Sequence, residues 1–173
     1  EHSTMSLAPL PNGKMLGGST TAAGTGGEQL AEQAELYIMD MTSKKVEWHE
    51  VVFPGAQSYT DLCPGPDGLI YGFADRRIFF AFDPATRKIV HQKDYHDEFG
   101  HTTSQQGPRV FVTSPDGVIY VLFNKGIAQI DQATHSIAMI SESPFPITGG
   151  GDYLAGRIYF YHGSHVYSYQ LPE

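Results

Sequence analysis

The densest run of polar side chains in the sequence carries His96, His101, Gln105 and Arg109. Such groups suit sugar recognition, because hydroxyl groups need partners that both donate and accept hydrogen bonds. They also suit proton abstraction beside a uronate carboxylate, where an arginine neutralises the charge and a histidine or tyrosine exchanges the proton. If this protein is an enzyme, the catalytic candidates are His101, Arg109 and Tyr59, with Gln105 and His96 as ligand-binding residues.

The same residues also have a plainer interpretation. Tyr59 and Arg109 stand where two predicted strands begin. In that position their polar atoms could satisfy carbonyl groups of neighbouring loops and do no chemistry. The sequence alone leaves a structural role, ligand binding and catalysis open for them.

A second pair of histidines, His162 and His165, flanks a Gly-Ser turn near the end of the chain. Across a tight hairpin these two rings could face each other, so we add both to the ligand-binding candidates. No cysteine or aspartate stands at metal-ligand spacing beside them, and histidines next to turns are usually solvated. The sequence therefore predicts no metal site here.

The segment from Gly24 to Gly27 imitates a phosphate-binding loop, because it follows a strand and precedes the helix-prone stretch Glu28–Ala34. The dinucleotide-binding pattern requires a third glycine at a set place and alternating helices afterwards, and the sequence has neither. We predict no bound cofactor and interpret this segment as a loop with one helical turn.

The elements that must position these residues are repeated. A glycine turn followed by a short apolar strand occurs four times. A second strand follows each copy, and in the first three copies it ends on an aspartate that can accept a hydrogen bond from the backbone two residues on. Each unit therefore predicts four short antiparallel strands, A to D. The four copies of the first phrase are 12–17, 67–72, 116–121 and 155–160.

A four-stranded meander that repeats about every 40 to 50 residues is typical of a β-propeller blade. The repeats resemble blades of extracellular bacterial propellers of the quinoprotein and gluconolactonase type, many of unassigned function. The resemblance implies an all-β module over residues 1–173, an extracellular or periplasmic location in a bacterium, and about four blades of four-stranded antiparallel sheets. The predicted blades are approximately 1–53, 54–95, 104–142 and 143–173.

The last blade ends at its third strand and lacks its outer one. Three arrangements stay open: a four-bladed propeller, part of a larger propeller with further blades on the same chain, and two copies that close one ring. An open stack would expose apolar sheet faces, which soluble proteins avoid. Unless four blades close alone, further blades or a second copy are therefore predicted partners.

Loop lengths indicate where a ligand would bind. The A–B and C–D turns are short and regular, whereas the other face carries a long B–C loop at 19–34 and a long D–A loop at 95–108. Long loops on a rigid frame commonly carry function. We therefore expect the binding site on the B–C/D–A face.

The charge balance restricts the classes of molecule that this protein could bind. Lys and Arg number 11 against 19 acidic residues, a net charge of −8, which argues against nucleic acid and anionic membranes. The expected ligand is a carbohydrate or another protein domain. The sequence thus favours a binding or scaffold module, and the alternative is part of a polysaccharide lyase or hydrolase with the His/Tyr/Arg site near the propeller axis.

Overall fold

The computed structural model describes residues 3–24, 26–103 and 110–172. Apart from a 3₁₀ turn at Pro11–Gly13 and the helix α1, His96–Phe99, the regular elements of these residues are β-strands. The strands are β1 Ser3–Leu10, β2 Lys14–Thr20, β3 Leu36–Asp40, β4 Lys45–Glu50, β5 Tyr59–Pro64, β6 Ile70–Ala74, β7 Ile78–Asp83, β8 Lys88–Asp94, β9 Phe111–Thr113, β10 Ile119–Phe123, β11 Gly126–Asp131, β12 Ser136–Glu142, β13 Gly149–Leu154, β14 Arg157–His162 and β15 His165–Gln170.

The strands form four antiparallel sheets in which each strand pairs with the next along the chain. Sheets 1, 2 and 3 hold four strands each, β1–β4, β5–β8 and β9–β12, and sheet 4 holds the three strands β13–β15. The predicted four-strand unit is confirmed, and the last unit shows three strands among the described residues, as predicted. The chain forms two compact units, unit 1 over residues 1–94 with sheets 1 and 2, and unit 2 over residues 95–173 with sheets 3 and 4.

The predicted aspartate turns are confirmed in sheets 1, 2 and 3. Asp83 accepts hydrogen bonds from the backbone N–H of Ala85 at 2.9 Å and from the Thr86 hydroxyl at 2.7 Å. The Thr86 hydroxyl, followed by the Ala85 N–H, holds the pKa of Asp83 below its usual range. Backbone N–H groups likewise lower the pKa of Asp40 and Asp131 in the matching turns. These turns are fixed locally, so they form a regular frame.

The core of unit 1 lies between sheets 1 and 2. Leu16 of sheet 1 and both Phe80 and Phe82 of sheet 2 are fully buried there, and Trp48 stacks on Phe82 with ring centroids 5.6 Å apart. A side-chain carbon at Gly72 would collide with the Phe80 ring, so only glycine lets this ring lie across β6. Burial of these side chains at about 25 cal/mol per Å² drives the sheets together.

The core of unit 2 lies between sheets 3 and 4 in the same manner. Val112 and Leu122 of sheet 3 pack in one cluster with Ile158 and Phe160 of sheet 4. Ile147, from the segment that connects the two sheets, is also buried in this cluster. The connecting segment is thereby held in place over the edge of the core.

Two local predictions about helix content are wrong. The stretch 28–34 contains no helical turn, because its polar groups bond across to the turn at 53–57: Ala34 N–H donates to Ala56 O at 2.8 Å, and Gly55 N–H donates to the Gln33 side chain at 2.6 Å. The helix α1 stands instead in the region interpreted as a loop. Among the described residues, no helix is long and apolar enough to cross a membrane.

Candidate functional site

A cleft of about 510 Å³ opens in unit 2 where three connections between strands meet. The first is α1, the second is the β10–β11 hairpin, and the third is the segment 143–148 between β12 and β13. These are D–A and B–C connections, which were predicted to share one face. The lining residues are Glu98, Phe99, Asn124, Lys125, Met139, Glu142, Ser143, Pro144, Phe145 and Pro146.

Aromatic packing positions α1 at this cleft. The Phe99 ring stacks on Tyr95 at a centroid distance of 5.1 Å and meets Phe123 edge-on at 5.2 Å. The helix ends at Gly100, whose φ of 77° favours glycine. A side chain at Gly100 would also collide with the carboxamide of Asn124, so the glycine sets how closely α1 approaches the β10–β11 hairpin.

The segment Pro144-Phe145-Pro146 presents a half-buried aromatic ring on the other side of the cleft. The Phe145 ring lies 4.3 Å from the Tyr167 ring and 5.2 Å from the His162 ring, measured between centroids. His162 Nδ1 donates to the carbonyl of Pro146 at 2.8 Å, which leaves Nε2 as the acceptor of the neutral ring. Phe145 is thus a braced platform of the kind that packs against the C–H face of a sugar ring.

The polar groups of the cleft favour a neutral ligand that carries hydroxyl groups. Glu98, Glu142 and Lys125 contribute two carboxylates and one ammonium group, a balance that repels a polyanion. Within residues 3–24, 26–103 and 110–172, Asn124 Oδ1 and Ser143 Oγ are buried with no hydrogen-bond partner. An unsatisfied buried polar atom costs about 1–3 kcal/mol, so a movement of the cleft wall that let a ligand hydroxyl reach either atom would recover part of that cost.

The predicted histidines all lie in unit 2. His162 touches the wall of the cleft through Phe145, and His165 pairs with His162 across the β14–β15 hairpin. His96 and His101 stand together at α1, with ring centroids 4.5 Å apart. Gln105 and Arg109, which were also predicted to belong to a site, lie outside the described residues.

Tyr59 lies in the core of unit 1. Its side chain is 0% exposed, and its hydroxyl accepts a hydrogen bond from Phe53 N–H at 3.2 Å. Burial raises the pKa of Tyr59 to about 12, so the hydroxyl keeps its proton at neutral pH. The ring packs edge-on against Phe80 at a centroid distance of 5.9 Å. These contacts are those of a core residue.

Sequence reasoning missed the residues that line the cleft. Only long loops were expected to carry the site, whereas the segment 143–147 is short and places a phenylalanine between two prolines. Proline fixes φ and so limits how far the ring between can move, which is a readable signal of a presented aromatic. Glu98, Asn124 and Glu142 carry no such signal, because nothing in the neighbouring sequence distinguishes them from other polar residues and only the fold brings them together.

The comparisons with known proteins bear on the fold. No protein-family model and no curated protein matches this chain. Among solved structures, the extracellular domain of BT4673 from B. thetaiotaomicron, described as a one-component system, matches with a TM-score of 0.70 and 15% identity over 96% of this chain and 22% of that chain. The chain therefore spans about a fifth of that structure's length.

Two further structures match over most of this chain. The Cps50 (Swd1) β-propeller domain of Myceliophteria thermophila gives a TM-score of 0.62 with 15% identity, over 92% of this chain and 47% of that one. The computationally designed Ika4 protein gives 0.63 with 10% identity, over 99% of this chain and 93% of that one. At such identities the likeness concerns the fold alone, and it shows β-propeller blades. It gives no support to the narrower resemblance to quinoprotein and gluconolactonase propellers.

Proposed function

We propose that this chain is a ligand-binding propeller module of a bacterial protein located outside the cytoplasm, and that the cleft of unit 2 binds a neutral carbohydrate. The observation that carries the proposal is the braced Phe145 ring beside Glu98, Glu142 and Asn124 in one cleft. An apolar ring face and convergent polar groups are what a sugar requires, because its own faces alternate between C–H and O–H groups.

The size of the cleft agrees with this proposal. A volume of about 510 Å³ falls inside the range of about 300–1,000 Å³ that is usual for small-molecule sites. A smaller cavity of about 190 Å³ adjoins it and shares Glu142, Ser143 and Phe145 among its lining residues. The Phe145 segment thus stands between two depressions, which suits a ligand of more than one sugar ring.

The location is supported by the match to an extracellular bacterial domain, as a likeness of fold. The partner prediction extends to further blades, from the same polypeptide or from a second copy of it.

The lyase or hydrolase alternative, with His101, Arg109 and Tyr59, stays a prediction, and no contact among the described residues favours it over binding. Scaffolding for another protein domain is the remaining alternative on the same face.

Calorimetric titration of the whole chain with neutral and uronate oligosaccharides tests the proposal. We expect binding of a neutral oligosaccharide that Phe145→Leu weakens at least tenfold, because leucine fills the space but offers no ring face. Tyr161→Leu, which removes a ring away from the cleft, is the matched control and should leave the affinity unchanged. Equal loss in both variants, or binding of uronates alone, would contradict the proposal.

A further inference from the structure

Two oppositely charged residues of the cleft, Lys125 and Glu142, are held next to each other by the backbone. The strand register places Gly126 opposite Glu142, and the N–H of Ser143 donates a hydrogen bond to the carbonyl of Lys125 at 2.9 Å. A side-chain carbon at Gly126 would collide with the Ser141 carbonyl and lie 3.0 Å from the Cα of Glu142. Glycine at this position therefore lets the β10–β11 hairpin approach the end of β12, with Lys125 beside Glu142.

The hairpin that carries Lys125 is also fastened to the other two walls of the cleft. The N–H of Asn124 donates to the carbonyl of His101, directly after α1, at 2.9 Å. The carbonyl of Asn124 accepts a hydrogen bond from the N–H of Ile147, in the Phe145 segment, at 3.0 Å. The backbone that presents Lys125 is thus fixed before any ligand binds, which lowers the entropy cost of binding.

Although their backbones are neighbours, the side chains of Lys125 and Glu142 do not pair with each other. Across the part of the chain that the structure describes, neither the ammonium group nor the carboxylate has a hydrogen-bond or ion-pair partner. Both side chains are exposed and line the cleft, so a ligand can reach them. The cleft therefore offers one strong donor and one strong acceptor close together.

The cleft also offers more apolar surface than one face of a sugar ring covers. Half of the residues that line it are apolar, and they come from α1, from β12 and from the segment between β12 and β13. A methyl group on the ligand would be removed from water against such a wall. The apolar lining residues are Phe99, Met139, Pro144, Phe145 and Pro146.

We propose that the sugar bound in this cleft carries an acetamido group, whose N–H donates to the Glu142 carboxylate, whose carbonyl accepts from the Lys125 ammonium group, and whose methyl group packs on the apolar wall. The inference rests on the proposed function, because it names the class of sugar that the same cleft takes. A planar trans amide directs its N–H and its C=O to opposite sides, so it can bond to two different side chains at once. A hydroxyl group has its donor and its acceptor on one oxygen and brings no methyl group, so it uses less of this cleft.

Calorimetric titration of the whole chain with matched sugars tests the inference. Cellotetraose, acetylated chitotetraose and deacetylated chitotetraose share one linkage and differ in a single substituent, which is a hydroxyl, an acetamido or an ammonium group. Galactose and N-acetylgalactosamine repeat the comparison of hydroxyl with acetamido in the other common configuration. In at least one series we expect the acetamido sugar to bind at least about tenfold more tightly than its counterparts.

Two variants remove the groups that should recognise the amide. Lys125→Met and Glu142→Met each keep an unbranched side chain and lose the charged group, and each should reduce the preference for the acetamido sugar about tenfold. Both positions are exposed, so the variants should fold. Lys88→Met is the matched control, because Lys88 is exposed on β8 and does not line the cleft, and it should leave the preference unchanged.

The inference and the proposed function can fail separately. Hydroxyl sugars that bind as tightly as their acetamido counterparts would overturn the inference and leave the proposed function standing, as would a preference that survives both Lys125→Met and Glu142→Met. Deacetylated chitotetraose that binds as tightly as the acetylated form would also overturn it, because charge alone would then explain the attraction. A neutral acetylated alanine peptide that binds as tightly as the sugars, or no binding of any neutral sugar, would overturn both.

Discussion

Replacement of Gly100 by alanine tests how α1 is set against the cleft. Gly100 has φ 77° and ψ −155°, a region that is almost restricted to glycine. The added carbon would also collide with the Asn124 carboxamide. The substitution therefore strains the backbone and displaces a wall of the cleft at the same time.

The two costs can be estimated separately. Holding alanine in this backbone conformation costs about 1–3 kcal/mol. Overpacking against Asn124 adds about 1–3 kcal/mol, because backbone or side chains must shift. Gly68 offers the matched comparison, because its φ is +85° and nothing lies within 4 Å of an added carbon. Gly68→Ala should then cost only about 1–2 kcal/mol.

Urea denaturation followed by circular dichroism measures the difference, with sugar titration beside it. We expect Gly100→Ala to lower the free energy of unfolding by at least ~1 kcal/mol more than Gly68→Ala does. Gly100→Ala should cost about that much less in the Asn124→Ala background than in the wild type, because the overlap is then absent. Only Gly100→Ala, and not Gly68→Ala, should weaken ligand binding.

Equal losses of stability in the two glycine variants would refute a collision between α1 and Asn124. A Gly100→Ala substitution that costs as much in the Asn124→Ala background as in the wild type would refute it too, since the collision would then not be the cause. A normal affinity in a destabilised Gly100→Ala variant would show that α1 does not form a wall of the site.

Three further predictions concern the frame. Burial raises the pKa of Tyr59 from 10 to about 12, so the folded state holds this proton more tightly than the unfolded state does. About 2–3 kcal/mol of stability that is present below pH 10 should therefore be lost as the pH rises through 12. Urea titrations at stepped pH should show this loss in the wild type and not in Tyr59→Phe. Because the pKa of Asp83 is lowered in the folded state, its ionised carboxylate stabilises the fold above pH 3.8, and this stability is lost as the pH falls through the folded-state pKa. In the same assay, Asp83→Ala should therefore lose less stability on acidification than the wild type does. Gly72→Ala should cost about 1–3 kcal/mol in chemical denaturation, because the new carbon meets the Phe80 ring; a loss below that of Gly68→Ala would argue against a tight contact there.

The strands and their turns could be predicted because their signals are local. An aspartate such as Asp83 reaches the backbone two residues on, so its turn forms wherever that sequence stands. The alternation of side chains along a strand then decides which ones face a core. The same reasoning was wrong for the stretch 28–34, because weak helix propensity gave way to hydrogen bonds with the distant turn at 53–57.

The sequence could assign the candidate site to one face of the propeller module, but it could not name the residues of the site. Loop lengths indicated the B–C/D–A side, and the cleft is built from those connections. Its residues could not be named, because Glu98, Asn124 and Phe145 come from three separate connections and no single segment holds a motif. His162 was named from its place beside a turn, and the structure adds the Phe145 ring that lies against it.

The sequence by itself therefore determined the repeated unit, its turns and the three strands of the last sheet, because each depends on contacts within a few residues or between neighbouring strands. The tertiary structure alone decided which side chains share the cleft, and that Tyr59 lies in a core. Those outcomes depend on contacts between segments that are distant in the chain.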